Sequence, residues 1–306
     1  IYVGLFGIGG PLISIGIPKL VSIWFQGDER GTASGVYTTG PIIGGVIALS
    51  LTNSVFVPLL GNWKNVLHVY SLIGLLIAFL WLFVGRKALT MISARGHRTL
   101  TGEKTTWKTM KTLFKSKNIW LIVAIGITFF LSSHGLANWL PKLFEAKGTS
   151  SSEAGYLAAF HRIFGIFGSI ILSKLPHILK SKKLAIAITL FVQGLFIIIL
   201  GVTAGPIMWL ALAFVGITTK GLLPILTIIL MDMPEVGPIR MGIAGGLFFA
   251  LGEIGGFGGP FVMGLLKDIT GSFLSGLIFI AAITEASIVL ASYLKVDVPV
   301  SRVDKW

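Results

Sequence analysis

The sequence contains no cysteine, which excludes a disulfide framework, a thiol nucleophile and a thiolate metal site. Charge is scarce: Asp, Glu, Lys and Arg make up 12% of the residues, about half the ~25% of an ordinary soluble domain. Acids are scarcer still, 12 against 25 Lys and Arg. No G-x-x-x-x-G-K-[ST] phosphate loop occurs, so an ATP-driven pump within this chain is not expected. There is no nucleophile elbow and no pair of acids at helix ends, so an enzyme is not expected either. His134 and His161 lie in apolar runs without a Cys, Asp or second His three or four residues away. No metal site and no cofactor are expected; proton relay or plain hydrogen bonding suits both histidines better. Neither an initiator Met nor a signal-peptide n-region begins the sequence, which reads as part of a longer chain.

What is present is apolar. Hydrophobic residues make up 54% and the mean hydropathy is +0.89. Stretches of the ~20 residues that cross a bilayer lie near 2–24, 33–53, 66–85, 119–140, 155–175, 184–203, 207–231, 242–265 and 273–293. Unpaired backbone groups cost several kcal/mol each in lipid, so spans are helices or closed barrels. These runs are too long and continuous for barrel strands. The expected fold class is all-α: a polytopic membrane protein with nine transmembrane helices.

The net charge of +13 is a topology signal rather than a nucleic-acid footprint, because it is confined to a few loops. Loops 26–31, 86–117, 176–183 and 232–241 and the tail 294–306 hold seventeen of the 25 Lys and Arg. The alternate loops hold only Lys64, Lys142, Lys147 and Lys267. By the positive-inside rule the first set is cytoplasmic, and the first helix runs inward. The stretch Gly85–Lys117 has nine basic residues against Glu103. Within it, 105–116 puts Trp107, Met110 and Leu113–Phe114 at helical spacing opposite lysines, as in a helix lying on anionic lipid. The expected division is 1–85, three helices of one bundle; 86–117, a basic linker; 118–293, a six-helix bundle; and 294–306, a cytoplasmic tail.

An internal repeat supports that division. Gly27–Arg30 before the second span matches Gly237–Arg240 before the eighth, 210 residues on. Gly61-Asn62-Trp63 matches Gly271-Ser272-Phe273 at the same offset. Gly7-Ile8 and Gly216-Ile217 are 209 apart. Spans four to six have no counterpart before the first copy, so three further helices are expected ahead of Ile1. Two parallel halves of six around a midplane site are a transporter plan.

Several segments resemble the major facilitator superfamily. Trp24–Gly31 is similar to its cytoplasmic turn between helices four and five, and Gly35–Pro41 with Gly44-Gly45 to its glycine-proline motif in helix five. Asn138–Pro141 is similar to the end of helix seven in anion carriers; Gly252–Gly256 with Gly259-Pro260 resembles helix eleven, and Asp268 with Thr270–Phe273 the turn after it. The resemblance implies helices four to twelve of a secondary transporter, with Glu29 and Arg30 in a gating turn and Asn138 at the solute. One departure stands out: where the second acidic-basic loop should fall, near 168–183, there is no Asp. Glycines four apart, Gly31/Gly35, Gly40/Gly44, Gly252/Gly256 and Gly255/Gly259, let helix backbones approach in lipid; Pro41 and Pro260 can kink their helices.

Four ionisable groups lie deep in spans, where each costs ~2.5–3.5 kcal/mol even on the lenient insertion scale. Arg162 is seven residues past Gly155, ~10 Å into the membrane. Lys220, Glu253 and Glu285 are near the middle of the seventh, eighth and ninth spans. Arg162 and Lys220, with His134 and Asn138, are candidate solute contacts; ion pairs of the two cations with Glu253 or Glu285 are the alternative. Glu253, among glycines, is a candidate proton carrier. Glu285, on a helix that the resemblance makes peripheral, is expected in a structural ion pair. The function expected is alternating-access transport of a small anionic solute, coupled to protons, by a multi-pass protein of the cell membrane. The alternative is an exporter of drugs or other amphipathic compounds. The partners expected are the solute, protons and the bilayer, with no nucleic acid.

Overall fold

The computed structural model describes residues 2–94 and 107–296. Arg95, Arg98, Glu103 and Lys104 of the basic stretch, and the tail beyond residue 296, lie outside the described residues. Each of the nine expected segments is helical. Helices α1 (Tyr2–Trp24) and α2 (Gly27–Leu51) lead through a π-helical turn, Thr52–Phe56, and the short α3 (Val57–Leu60) to α4 (Trp63–Ala94). The basic stretch contributes α5 (Trp107–Lys115). There follow α6 (Lys117–Ala146), α7 (Ser151–Leu172), the short α8 (Leu175–Ile178), α9 (Lys182–Val202), α10 (Gly205–Asp232), α11 (Gly237–Thr270) and α12 (Phe273–Ser292).

Among the described residues, seven helices rather than nine are long and apolar enough to cross a membrane: α4, α6, α7, α9, α10, α11 and α12. The described apolar part of α1 is shorter, Ile13–Trp24, and α2 is diluted by Glu29, Arg30 and its run of Gly, Ser and Thr. Helix ends follow their capping residues. Ser150 and Glu153 form a reciprocal capping box at the start of α7, and Ser181 caps α9. Such caps satisfy N–H groups that a helix cannot bond itself. Gly271 ends α11 at φ 74°, a left-handed turn that glycine adopts without strain.

The chain divides into two units, one of Ile1–Ile42 with Trp107–Trp306 and one of Ile43–Thr106. In the smaller unit α4 is continuously apolar from Leu72 to Val84 and leaves Leu72, Leu75, Phe79 and Leu82 exposed, a surface that suits lipid. Its start is anchored by Tyr70, whose hydroxyl pairs with Thr52 Oγ1 at 2.8 Å. In the larger unit α6 and α10 are the central helices, burying most of their apolar length.

Two separate apolar clusters make the core of the larger unit. One gathers Ile119–Phe130 of α6 with Leu222–Met231 of α10 and Met241–Phe248 of α11. The other gathers Leu136–Phe144 of α6 with Met208–Val215 of α10 and Leu277–Ala281 of α12. Between them every helix of the unit's core turns polar: Ser132–His134 on α6, His161 and Arg162 on α7, Gln193 on α9, Thr218–Lys220 on α10, Glu253 on α11 and Thr284–Glu285 on α12. A polar layer halfway along apolar helices is costly unless its groups find partners.

Candidate functional site

Helices α7 and α10 meet through glycines. A Cβ added to Gly168 would strike the Ile217 backbone, one on Gly216 the His161 carbonyl, and one on Gly221 the Gly168 carbonyl. The bare backbones provide the close approach that association in lipid depends on. Gly165 leaves room for the stem of Lys220, which lies over it. The ammonium continues to α6, where Nζ donates to Ser133 Oγ at 2.8 Å. Arg162 is half-buried and within electrostatic reach of Lys220. Among the described residues, Arg162 has no hydrogen bond, and neither cation has a carboxylate within 4.0 Å. His161 is 1% exposed, and its Nε2 has no hydrogen-bond partner.

Charges taken out of water lose several kcal/mol each unless a counter-charge returns it. Neither cation has that counter-charge among the described residues. The guanidinium supplies a planar fork for an oxyanion, and the ammonium a point charge.

Three successive residues of α6 reach three different helices. Ser132 accepts from Gln193 Nε2 of α9 at 3.0 Å, Ser133 accepts from Lys220 of α10, and His134 faces Glu253 of α11. The His134 Nδ1 to Glu253 Oε2 distance is 3.7 Å, beyond a direct hydrogen bond. Gly256 makes space for this pair, since a Cβ there would meet both side chains. Gly252 lies over the Phe130 ring, and Gly255 and Gly259 over the Ile127 and Leu131 carbonyls, so the α11 glycines are a close-packing face against α6. Asn138 is exposed and donates to the His134 carbonyl at 2.8 Å.

Glu285 packs against Gly194 of α9; among the described residues no cation lies within 4.0 Å of it. Gly35 packs against Ser169 and Ser173 of α7, whereas Gly40 and Gly44 meet nothing within 4 Å among the described residues. Pro41 is exposed inside α2, and so is Glu29. Arg30 donates to Asp232 Oδ1 at the end of α10, and also to the Phe25 and Ser22 carbonyls. Lys182 of α9 stands 3.0 Å from the other oxygen of Asp232. Sequence reasoning singled out neither Asp232 nor Ser133. The signal for Asp232 is an acid at the end of a span. Ser133 offers no such signal.

The family model for the Major Facilitator Superfamily matches residues 1–260. The probable galactarate/D-glucarate transporter GudP of Escherichia coli K12 is 25% identical, over 94% of this chain and 69% of its own length. The quinolone resistance transporter of Acinetobacter baumannii is 24% identical, over 94% of this chain and 70% of its own. This chain thus spans about two-thirds of the length of those relatives. The crystal structure of the E. coli fucose:proton symporter FucP has the same fold, with a TM-score of 0.70 at 14% identity, over 93% of this chain and 73% of that one. With most of its length matched by the family model, the chain belongs to the Major Facilitator Superfamily.

Proposed function

We propose that this membrane transporter moves a small organic anion by alternating access, with Arg162 and Lys220 as the countercharge and Glu253 as the proton carrier. The observation that carries this reading is the cation pair in the polar layer, which has no carboxylate partner among the described residues. Similarity to a relative named for two sugar diacids supports it. Glu253 faces His134 at 3.7 Å, one residue along α6 from the Ser133 that Lys220 meets. A proton taken up there would neutralise an acid at mid-membrane depth, where charge is expensive. The basic loops, the linker and the C-terminus lie in the cytoplasm in this reading.

The test is uptake of radiolabelled D-glucarate by proteoliposomes under an inward proton gradient. Glu253→Gln mimics the protonated acid, so it should spare exchange of internal for external acid and abolish uphill accumulation. Unchanged accumulation by Glu253→Gln would remove the proton role.

The likeness to a quinolone resistance transporter favours a second reading, export of amphipathic compounds. There Glu253 binds the cargo, so Glu253→Gln loses binding of a cationic drug while Arg162→Ala keeps it.

A further inference from the structure

His161 is buried in the same polar layer and has no assigned work. We infer that its Nε2–H is a third donor to the transported carboxylate, completing the site that Arg162 and Lys220 begin; the inference rests on the anion reading above.

Four observations lead there. His161 precedes Arg162 on α7, and its backbone carbonyl lies against Gly216, one turn of α10 from Lys220. Both cations are within electrostatic reach of the ring. The ring is 1% exposed and Nε2 has no partner, although buried polar atoms nearly always have one. Finally, the α7–α10 contact that includes the His161 carbonyl is lined by Gly165, Gly168, Gly216 and Gly221, none of which can supply a side-chain acceptor. Thr219 Oγ1, beside Lys220, is a second buried polar atom without a partner. Unpaired polar atoms beside two cations that have no carboxylate partner among the described residues mark a place where the missing acceptor is the solute.

The chemistry narrows the ligand. A guanidinium fork, an ammonium and an imidazole N–H are all donors. They suit a carboxylate with its full set of lone pairs better than a neutral sugar, whose hydroxyls must also donate. A solute bearing an amide in place of the carboxylate is correspondingly excluded, because its NH2 would face donors.

The orphaned nitrogen makes the role separable from a structural one. Replacing a buried polar group that has no protein partner by an apolar ring of similar size removes a desolvation cost and no protein contact. His161→Phe should therefore melt no lower than wild type without solute. Its Kd for D-glucarate should rise ~10- to 100-fold, the usual loss of a hydrogen bond to a charged group. His161→Gln puts an amide N–H close to the Nε2 position and should stay within about threefold of wild type, whereas the shorter His161→Asn should behave like His161→Phe.

The experiment is D-glucarate binding by isothermal titration and melting temperature with and without the acid, on the full-length protein and these three variants, with Arg162→Ala as reference. The expected result is loss of binding in the Phe and Asn variants, retention in Gln, and an unchanged solute-free melting temperature in Phe. Equal affinities in Gln and Asn, or wild-type affinity in Phe, overturn the role of His161 while leaving the anion reading in place if Arg162→Ala still fails to bind. Normal binding in Arg162→Ala removes the anion reading itself.

Discussion

Lys220 Nζ of α10 donates to Ser133 Oγ of α6 across 2.8 Å, and this neutral hydroxyl is the acceptor that the ammonium has among the described residues. Ser133→Ala therefore strips the solute-free protein of a hydrogen bond to a charged group, worth ~1.5–3 kcal/mol. The variant should melt at a lower temperature than wild type. Saturating D-glucarate should raise its melting temperature by more than it raises that of wild type, since the acid then supplies the lost partner. An identical ligand shift in both proteins would mean that the acid does not reach Lys220.

The α7–α10 contact tolerates no added volume. Gly168→Ala places a methyl group against the Ile217 backbone, which cannot yield as a side chain would, so ~1–3 kcal/mol of stability should be lost. Gly155, on the same helix, has nothing within 4 Å, and Gly155→Ala should be neutral or gain up to ~1 kcal/mol. Melting in detergent checks both, and equal losses would place the effect in helix propensity rather than packing.

Sequence alone revealed the helices because ~20 apolar residues have few other uses. It placed the start of α2 at 33 rather than at Gly27, because Glu29, Arg30 and a run of small residues dilute the apolar signal there. It also shortened α11, whose polar ends run from Gly237 to Thr270 beyond the apolar stretch at 242–265. In the site, single charges at mid-span were legible, but their partners were not. Lys220 meets one hydroxyl among many, and that choice depends on the rotation of α6, which turns Ser132, Ser133 and His134 toward three helices. The Arg30 to Asp232 pair joins residues 202 apart with no local pattern to announce it. Gly252, Gly255 and Gly259 of α11 lie against α6, whereas Gly40 and Gly44 meet nothing within 4 Å among the described residues.

The absence of native cysteine makes topology directly measurable. Leu100→Cys in the basic linker should be shielded from an impermeant maleimide in intact cells, and Gly148→Cys between α6 and α7 should react. Labelling of position 100 from outside would invert the proposed orientation.

Lys147, in the loop after α6, closes the end of α9. Its Nζ donates to the Leu200 and Thr203 carbonyls at 2.8 and 2.7 Å, a cation at a helix C-terminus. Lys147→Met should lose ~1 kcal/mol near neutral pH. Burial lowers the lysine pKa below its ordinary value, so the folded state binds fewer protons than the unfolded one between the two values. Stability from this group therefore rises with pH through that window. The melting-temperature gap between wild type and Lys147→Met should widen as pH is raised through the alkaline range and narrow as it falls. A gap that shrinks on raising pH would contradict the assignment.

The account turns on whether Arg162 and Lys220 hold an anion, and equilibrium binding of D-glucarate to the full-length transporter tests that most directly. Arg162→Ala and Lys220→Ala should each weaken binding by ~2–5 kcal/mol, since a desolvated carboxylate loses a charged partner. Arg162→Lys should also bind poorly, because the charge remains but the fork is gone. Binding of wild-type strength in either alanine variant would contradict the account, since that cation would then have no role in recognising the solute.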